Sequence, residues 1–238
     1  MSKLAMKEGE QNYTLMLLVA GVALILSGSS AIERGWLLVW FGIGCILVGL
    51  AYVRFGAEIF GKRADGGRSW LNRLILCPFL LLNYVLWHLH HRVLRQEDVF
   101  NEVAPGIWLG RRPLEGELPP QVTTVVDLTA EFSATVQARK LNYVCVPTLD
   151  GCAPSDEDFS KLIAKLCASS EPVYIHCAAG HGRSAAVAVS LLVGRGFAKD
   201  LAEAETIVKA KRPLISIKQP QRELLHRWFA ATQRSSAA

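Results

Sequence analysis

The sequence predicts an α/β domain preceded by an N-terminal transmembrane helical hairpin. The chain has 238 residues, of which 51% are hydrophobic, and its mean hydropathy of +0.25 is unusual for a soluble domain. The apolar excess lies near the N-terminus, whereas from about Asp98 short β-branched runs alternate with segments of helical periodicity. This composition excludes a purely soluble protein and a chain that is disordered throughout.

Two uncharged stretches, residues 11–32 and 36–53, predict the hairpin, with helices over about 13–32 and 36–53. Spanning the hydrocarbon core takes roughly 20 apolar residues, and both stretches meet that length. Trp36, Trp40 and Tyr52 lie near the ends of the second stretch, as aromatic side chains do at membrane interfaces. A signal peptide stays open as an alternative for the first stretch, because small residues at 27–30, near its end, could mimic a cleavage site.

The distribution of lysine and arginine predicts the topology. Residues 1–97 carry 10 Lys and Arg against 6 Asp and Glu, while the remaining residues carry 16 against 15. The loop between the two stretches has only Arg34, whereas basic residues lie on both outer sides. The positive-inside rule then predicts a multi-pass membrane protein whose two ends, and whose catalytic domain, face the cytoplasm. The nearly neutral remainder carries no basic stripe, which argues against a nucleic-acid partner.

A third apolar segment, about residues 74–91, lacks Asp, Glu, Lys and Arg. Pro78, Asn83 and its histidines favour a helix that lies in the membrane interface over one that spans, although spanning would move the catalytic domain to the other side. Those histidines have no carboxylate or cysteine beside them, so polar groups at headgroup level are favoured over a metal site. We therefore divide the chain into a membrane region, residues 1–97, and a catalytic domain, residues 98–238.

The catalytic domain contains three predicted strands and four predicted helices. Ser155 or Asp156 can cap the first of these helices, whose apolar residues lie on one face. The strands cover residues 122–128, 141–146 and 172–176, and the helices cover 155–167, 184–194, 201–211 and 219–231.

The residues with the clearest chemistry lie between the third strand and the second helix, at 175–184. A loop in that position directs backbone N–H groups at one point, and a helix N-terminus adds a positive dipole end. Gly180 and Gly182 permit the tight backbone turns of an anion site. Cys177 offers a thiolate, Arg183 a planar fork for phosphate oxygens, and Ser184 a hydroxyl near the sulfur. These groups are the parts of nucleophilic phosphoryl transfer.

The run HCAAGHGRS at residues 176–184 resembles the Cys-x5-Arg-Ser/Thr signature of the cysteine-dependent protein tyrosine phosphatases. The resemblance extends over about residues 98–232. Residues 103–113 are similar to the opening strand of the dual-specificity branch, and residues 211–228 are similar to its closing segment. It implies a dual-specificity-phosphatase-like central sheet flanked by helices, and catalysis without a metal or other cofactor.

The resemblance also implies a role for each residue of the signature. Cys177 would be the nucleophile, Arg183 would bind the transferring group, Ser184 would assist release of the thiolate and His176 would orient the cysteine. Asp150, 27 residues before the cysteine, would be the general acid. The phosphate would be held by the backbone amides of Ala178, Ala179, Gly180, His181, Gly182 and Arg183.

Several neighbouring residues have alternative interpretations. Asp156 and Asp158 are second choices for the general acid, although a helix cap suits the first and a solvated helix position suits the second. Asp127 is expected to be structural. Arg111 and Arg112 are expected to be solvated rather than bound to substrate, and Cys145 and Cys152 are expected to pack rather than to form a disulfide with an oxidised Cys177.

Three functional hypotheses follow. The first is a membrane-anchored phosphatase for a monophosphorylated phospholipid headgroup, since the dual-specificity branch includes lipid-directed members. Ala178 and Ala179 are neutral where enzymes for polyphosphoinositides place lysines, which argues against that substrate class. The second is a phosphatase of tyrosine- or serine-phosphorylated proteins near the membrane, and the third is a non-catalytic phosphate-binding module. The sequence leaves the oligomeric state open.

Overall fold

The computed structural model describes residues 8–31, 33–93 and 97–236, and the chain divides into two compact units. The first contains residues 1–63 and 67–94, and the second contains residues 64–66 and 95–238. Lys3 and Lys7, the basic residues before the first apolar stretch, lie outside the described residues, as does the predicted helix end at residue 32.

The first unit is helical. Helix α1 covers Glu8–Ser30 and α2 covers Gly35–Leu50, after which the chain continues as a π-helical turn to Phe55 and a 3₁₀ turn to Phe60. Two helical stretches, Tyr13–Ser30 and Gly35–Phe60, are long and apolar enough to cross a membrane, with mean hydropathies of 1.8 and 2.2. The third apolar segment forms two helices, α3 (Trp70–Ile75) and α4 (Cys77–Val93), that break at Leu76.

Glycines allow α1 and α2 to approach closely. A Cβ atom at Gly28 would lie 2.4 Å from the Gly35 carbonyl oxygen, and one at Gly42 would lie 2.6 Å from the Gly21 carbonyl oxygen. These glycines recur at intervals of seven residues, so they lie on one face of each helix. Small residues at such positions let two helix backbones pack in van der Waals contact, as is typical of helices in lipid.

The second unit is a five-stranded sheet with helices around it. The strand order is β1-β2-β5-β3-β4, with β1 antiparallel to β2 and the other neighbours parallel. The strands are β1 (Phe100–Ala104), β2 (Ile107–Arg111), β3 (Thr124–Thr129), β4 (Asn142–Thr148) and β5 (Val173–Cys177). The helices are α5 (Val136–Arg139), α6 (Asp156–Cys167), α7 (Arg183–Gly194), α8 (Leu201–Lys211) and α9 (Gln219–Ser236).

The segment expected to be one opening strand, residues 103–113, is instead part of a hairpin. β1 and β2 pair across a turn at Pro105 and Gly106, where Gly106 has φ +72°. Glu102 holds this turn, because its Oε1 accepts a hydrogen bond from the Gly106 N–H at 2.9 Å. Proline followed by a glycine with positive φ reverses the chain, so the expectation of one strand was wrong.

The predicted helices and inner strands form with small shifts at their ends. The Ser155 hydroxyl, and not Asp156, caps α6 by accepting a hydrogen bond from the Asp158 N–H at 3.0 Å. Strand β5 is buried along its whole length, and residues 185–192 of α7 are buried as well. The loop between β5 and α7 is therefore supported at both ends by the core.

Candidate active site

The loop of residues 178–182 joins the end of β5 to the start of α7. Cys177 is the last residue of β5 and Arg183 is the first residue of α7. Since β5 lies between β2 and β3 in the sheet, the loop leaves at the carboxyl edge of the parallel strands. Ligands of α/β folds bind at this edge, and here it also meets a helix N-terminus.

The Cys177 sulfur lies at the base of this loop. It is 3.2 Å from the Gly180 N–H, which donates to it, and 3.2 Å from the Ser184 hydroxyl oxygen. The amide and the hydroxyl are both groups that can donate a hydrogen bond to this sulfur. Gly180 has φ +82°, and a Cβ there would lie 2.5 Å from the Gly110 carbonyl carbon, so glycine is required at this position.

Four successive carbonyl oxygens of the loop are bound from outside it. In a planar trans peptide the C=O and the following N–H point in opposite directions, so these bonds turn the N–H groups of residues 179–182 towards the inner side. The result is a cluster of donors suited to an anion. The four bonds are Arg112 N to Ala178 O (3.2 Å), Arg212 Nη2 to Ala179 O (3.0 Å), Arg212 Nε to Gly180 O (3.1 Å) and Ser216 N to His181 O (2.9 Å).

Arg212, which the sequence analysis missed, is the residue that holds two of these carbonyls. It is 1% exposed, and its burial lowers the pKa of the guanidinium, although Glu97 opposes that shift. Its other partners are the Asp98 carbonyl oxygen (3.1 Å), Asn101 Oδ1 (2.8 Å) and Glu97 Oε2 (3.0 Å). In the sequence, only the Lys-Arg-Pro run in the closing segment pointed to Arg212.

Arg183 is buried beside the sulfur and is bound by Glu131. Its Nη1 and Nη2 donate to the two Glu131 carboxylate oxygens at 3.0 and 2.8 Å, and Nη1 also donates to the Thr148 carbonyl oxygen at 2.7 Å. Burial alone would lower the pKa of Arg183. The negative charges of Glu131 and Cys177 raise it by more, so the pKa lies well above its usual range.

The Arg183 Nε is buried and has no hydrogen-bond partner among the residues that the structure describes. Buried donors are normally paired, so this N–H is the group that a bound oxyanion would satisfy. Glu131 was not foreseen, although an acidic residue soon after a strand of the parallel sheet was a signal for it.

Asp150 lies at the same edge of the sheet, two residues after β4. Its Oδ1 is 3.1 Å from the Arg183 Nη2, and its side chain is 81% exposed. The two other candidates for the general acid, Asp156 and Asp158, form hydrogen bonds with other residues. Asp156 accepts two bonds from Arg227, at 2.9 and 2.6 Å, which lower its pKa, and Asp158 accepts a bond from the Ser155 hydroxyl at 2.7 Å.

His176 and Asp127 lie in a buried network beneath the loop. The His176 Nδ1 lies 3.4 Å from the Cys177 carbonyl oxygen, and its Nε2 lies 3.8 Å from Asp127 Oδ2. Asp127 accepts bonds from the Thr129 N–H and hydroxyl, at 2.8 and 2.7 Å, and from the Tyr143 hydroxyl at 2.6 Å. Burial, together with Asp127, raises the pKa of Tyr143. These contacts fit the structural role expected of Asp127.

The expectation that Arg111 is solvated was wrong. It is 8% exposed and pairs with Glu117 at 3.0 Å, because the end of β2 packs inside the unit. The Arg112 guanidinium lies over the Phe132 ring, 5.0 Å from its centroid. All six cysteines have free thiols, Cys145 and Cys152 included. Within the described ranges, no three His, Cys, Asp or Glu side chains form a group that could hold a metal ion.

Part of the second unit is similar in sequence to known phosphatases. Residues 118–234 match the family described as PTP-SAK, a Swiss Army Knife protein with a DSP-PTPase phosphatase domain. The mouse dual specificity protein phosphatase 18 is 33% identical over 99 residues, which cover 40% of this chain and 52% of the mouse protein. The rat protein of that name is also 33% identical over 99 residues. The chain spans about half the length of the curated relatives it matches.

Solved structures share the fold of the second unit. A structure of PTPMT1 in complex with PI(5)P has a TM-score of 0.52 and 23% identity, covering 59% of this chain and all of that one. A mouse putative dual specificity phosphatase complexed with zinc tungstate also has a TM-score of 0.52, with 21% identity, covering 59% of this chain and 92% of that one. At this level of identity the likeness concerns the fold.

Proposed function

We propose that the chain hydrolyses phosphomonoesters through a cysteinyl-phosphate intermediate, as a phosphatase of the dual-specificity branch of the cysteine-dependent protein tyrosine phosphatases, since residues 118–234 match a DSP-PTPase phosphatase domain. One observation carries this proposal. The Cys177 sulfur lies among inward-facing N–H groups beside the unpartnered Nε of Arg183. A phosphoryl group bound by those donors would present its phosphorus to the sulfur.

In the first step the N–H groups of residues 179–182 and Arg183 bind the phosphoryl oxygens. The Cys177 sulfur attacks phosphorus, an S–P bond forms and the bond from phosphorus to the leaving oxygen breaks. Asp150 donates its proton to that oxygen. Its exposed carboxyl group, 3.1 Å from the Arg183 Nη2, supports this role because it lies next to a residue that binds the phosphoryl oxygens.

In the second step a water molecule attacks phosphorus and the S–P bond breaks. The Asp150 carboxylate accepts the proton of the water, and the Ser184 hydroxyl, 3.2 Å from the sulfur, donates a hydrogen bond to the departing thiolate. His176 orients Cys177 from beneath, next to the cysteine carbonyl oxygen. Charge at phosphorus is balanced by Arg183 and the loop N–H groups, so no step of this scheme calls for a metal ion.

For the substrate we propose a monophosphorylated phospholipid headgroup. The two apolar helices support attachment to the bilayer. From the distribution of lysine and arginine we propose that the chain crosses the bilayer more than once and that the second unit faces the cytoplasm. A tethered domain meets lipid headgroups at high effective concentration. The neutral Ala178 and Ala179 suit one phosphate group rather than several. The alternative is a protein phosphatase for membrane-proximal phosphoproteins, favoured by the similarity to dual specificity protein phosphatase 18.

The test is phosphate release by the full chain purified in detergent. Phosphatidylglycerophosphate, phosphoinositides and a phosphotyrosine peptide are offered in parallel, with Cys177→Ser as the control. We expect release from the monophosphorylated lipid and none from the variant. Preference for the peptide would support the protein phosphatase instead. Release by Cys177→Ser equal to that of the wild type would refute the mechanism, and binding without release by the wild type would support a non-catalytic module.

A further inference from the structure

A carboxylate at the start of the second unit contacts the outer side of the signature loop. Glu97 Oε2 lies 2.6 Å from the His181 Nε2 and 3.0 Å from the Arg212 Nη2. Its other oxygen, Oε1, accepts a hydrogen bond from the Leu214 N–H at 3.1 Å. The Glu97 side chain is 13% exposed, so these contacts are shielded from water and less screened than surface ion pairs.

All three partners of Glu97 act on the phosphate-binding loop. His181 is a member of the loop, and Arg212 binds two of its carbonyl oxygens. Leu214 precedes Ser216, whose N–H donates to the His181 carbonyl oxygen at 2.9 Å. One carboxylate therefore joins a member of the loop to two of the groups that support the loop from outside.

We propose that Glu97 is a positioning residue for the phosphate-binding loop and acts through His181 and Arg212. The proposal rests on the proposed function only in that the loop must bind a phosphate. Converging N–H dipoles repel one another when no anion is present, so the loop needs fixed contacts on its outer side to keep them aligned. Glu97 also balances the charge of Arg212, whose burial would otherwise be costly.

Glu97 lies outside the residues that match the phosphatase family, which begin at residue 118. It is separated from His181 by 84 positions in sequence. The loop of this chain is thus supported by a residue that precedes the matched region, close to where the first unit ends at residue 94. A shorter chain that begins after Glu97 would lack this support.

The experiment compares the wild type with Glu97→Gln as full chains in detergent. Inorganic phosphate is the probe, and its dissociation constant is measured by phosphorus NMR titration, which needs no turnover. The amide keeps the size of the side chain but loses the charge that binds His181 and Arg212. We expect phosphate to bind on the order of tenfold more weakly, with partial recovery in Glu97→Asp. For p-nitrophenyl phosphate, KM should rise more than kcat falls.

Glu102→Gln is the matched control, because Glu102 lies five residues further along and supports the turn at Gly106 rather than the loop. His181→Leu removes one contact of Glu97 and should weaken phosphate binding less than Glu97→Gln does, which keeps the test available if Glu97→Gln does not fold. Unchanged phosphate affinity in Glu97→Gln, or in His181→Leu if that variant must stand in, overturns the proposal, as does an equal loss in Glu102→Gln. A wild type that binds phosphate without hydrolysing any ester would refute the proposed function alone.

Discussion

Replacing Glu131 by glutamine should separate the stability of the active site from its catalytic geometry. The wild-type carboxylate accepts two bonds from Arg183, at 2.8 and 3.0 Å, and the two side chains are 12% and 1% exposed. Breaking a buried ion pair outright costs about 3–5 kcal/mol. Because glutamine keeps one acceptor oxygen, we expect a loss of roughly 2 kcal/mol, or about 4–8 °C in the melting temperature of this unit.

The loss of transition-state stabilisation should exceed the loss in free energy of unfolding. Glu131 fixes the plane of the Arg183 guanidinium, and that plane directs the unpartnered Nε towards the phosphate. With one fixing bond weakened, kcat/KM for p-nitrophenyl phosphate should fall by a factor on the order of 100, which corresponds to about 2.7 kcal/mol of transition-state stabilisation. Both values are measured on the full chain, by thermal unfolding in detergent and by steady-state kinetics at 25 °C.

Glu117→Gln provides the control for this prediction. Glu117 pairs with the buried Arg111 at 3.0 Å, in an arrangement similar to that of Glu131 with Arg183, but Arg111 lies at the end of β2 rather than at the start of α7. The control should lower the melting temperature and leave kcat/KM within about twofold of the wild type. If Glu131→Gln kept the wild-type kcat/KM, or if Glu117→Gln lost as much, Glu131 would not orient Arg183.

Three further predictions concern proton transfer, metal and pH. Asp150→Asn should lower kcat by a factor on the order of 100, and by less for a phenol leaving group of low pKa, in steady-state assays. A chelator should leave activity unchanged. Arg227 lowers the pKa of Asp156 in the folded state. The ion pair therefore stabilises the fold at pH values above the unfolded-state pKa of Asp156, and this gain is lost as pH falls through the folded-state pKa. Asp156→Asn should lower the free energy of unfolding, measured by denaturant titration, by about 0–1 kcal/mol at pH 7 and by nothing near pH 2.

The helices and inner strands of the second unit could be predicted because their signals are local. The helical spacing of apolar residues in α6 and the β-branched runs of β3 and β5 each lie within a dozen residues. The hairpin of β1 and β2 was missed because residues 103–113 were assigned as one opening strand from a family resemblance, although Pro105 and Gly106 carried the turn signal. The seven-residue spacing of glycines in α1 and α2 is also visible in the sequence, although no prediction was based on it. This spacing determines how closely the two helices pack.

In the site too, residues close together in sequence could be predicted and distant partners could not. Cys177, Arg183 and the loop between them were identified because the whole device is contiguous in sequence. The residues that hold this device in place are not contiguous with it. Glu131 bonds to Arg183 across 52 positions, and Arg212 bonds to Gly180 across 32. Such pairs depend on the order of strands in the sheet, and a single sequence does not reveal which distant polar residue meets which.

The charge balance of the site bears on the choice of substrate. Each buried arginine around the loop already has a carboxylate partner, since Glu131 binds Arg183 and Glu97 binds Arg212. The attraction for a phosphate therefore comes from the buried Arg183 Nε, the oriented N–H dipoles and the N-terminus of α7, which act over a few ångströms around one point. A site of this kind binds one phosphoryl group well and offers little to a second phosphate on the same ring. The neutral Ala178 and Ala179 have the same consequence, and both features support the proposed monophosphorylated substrate without reference to the membrane region.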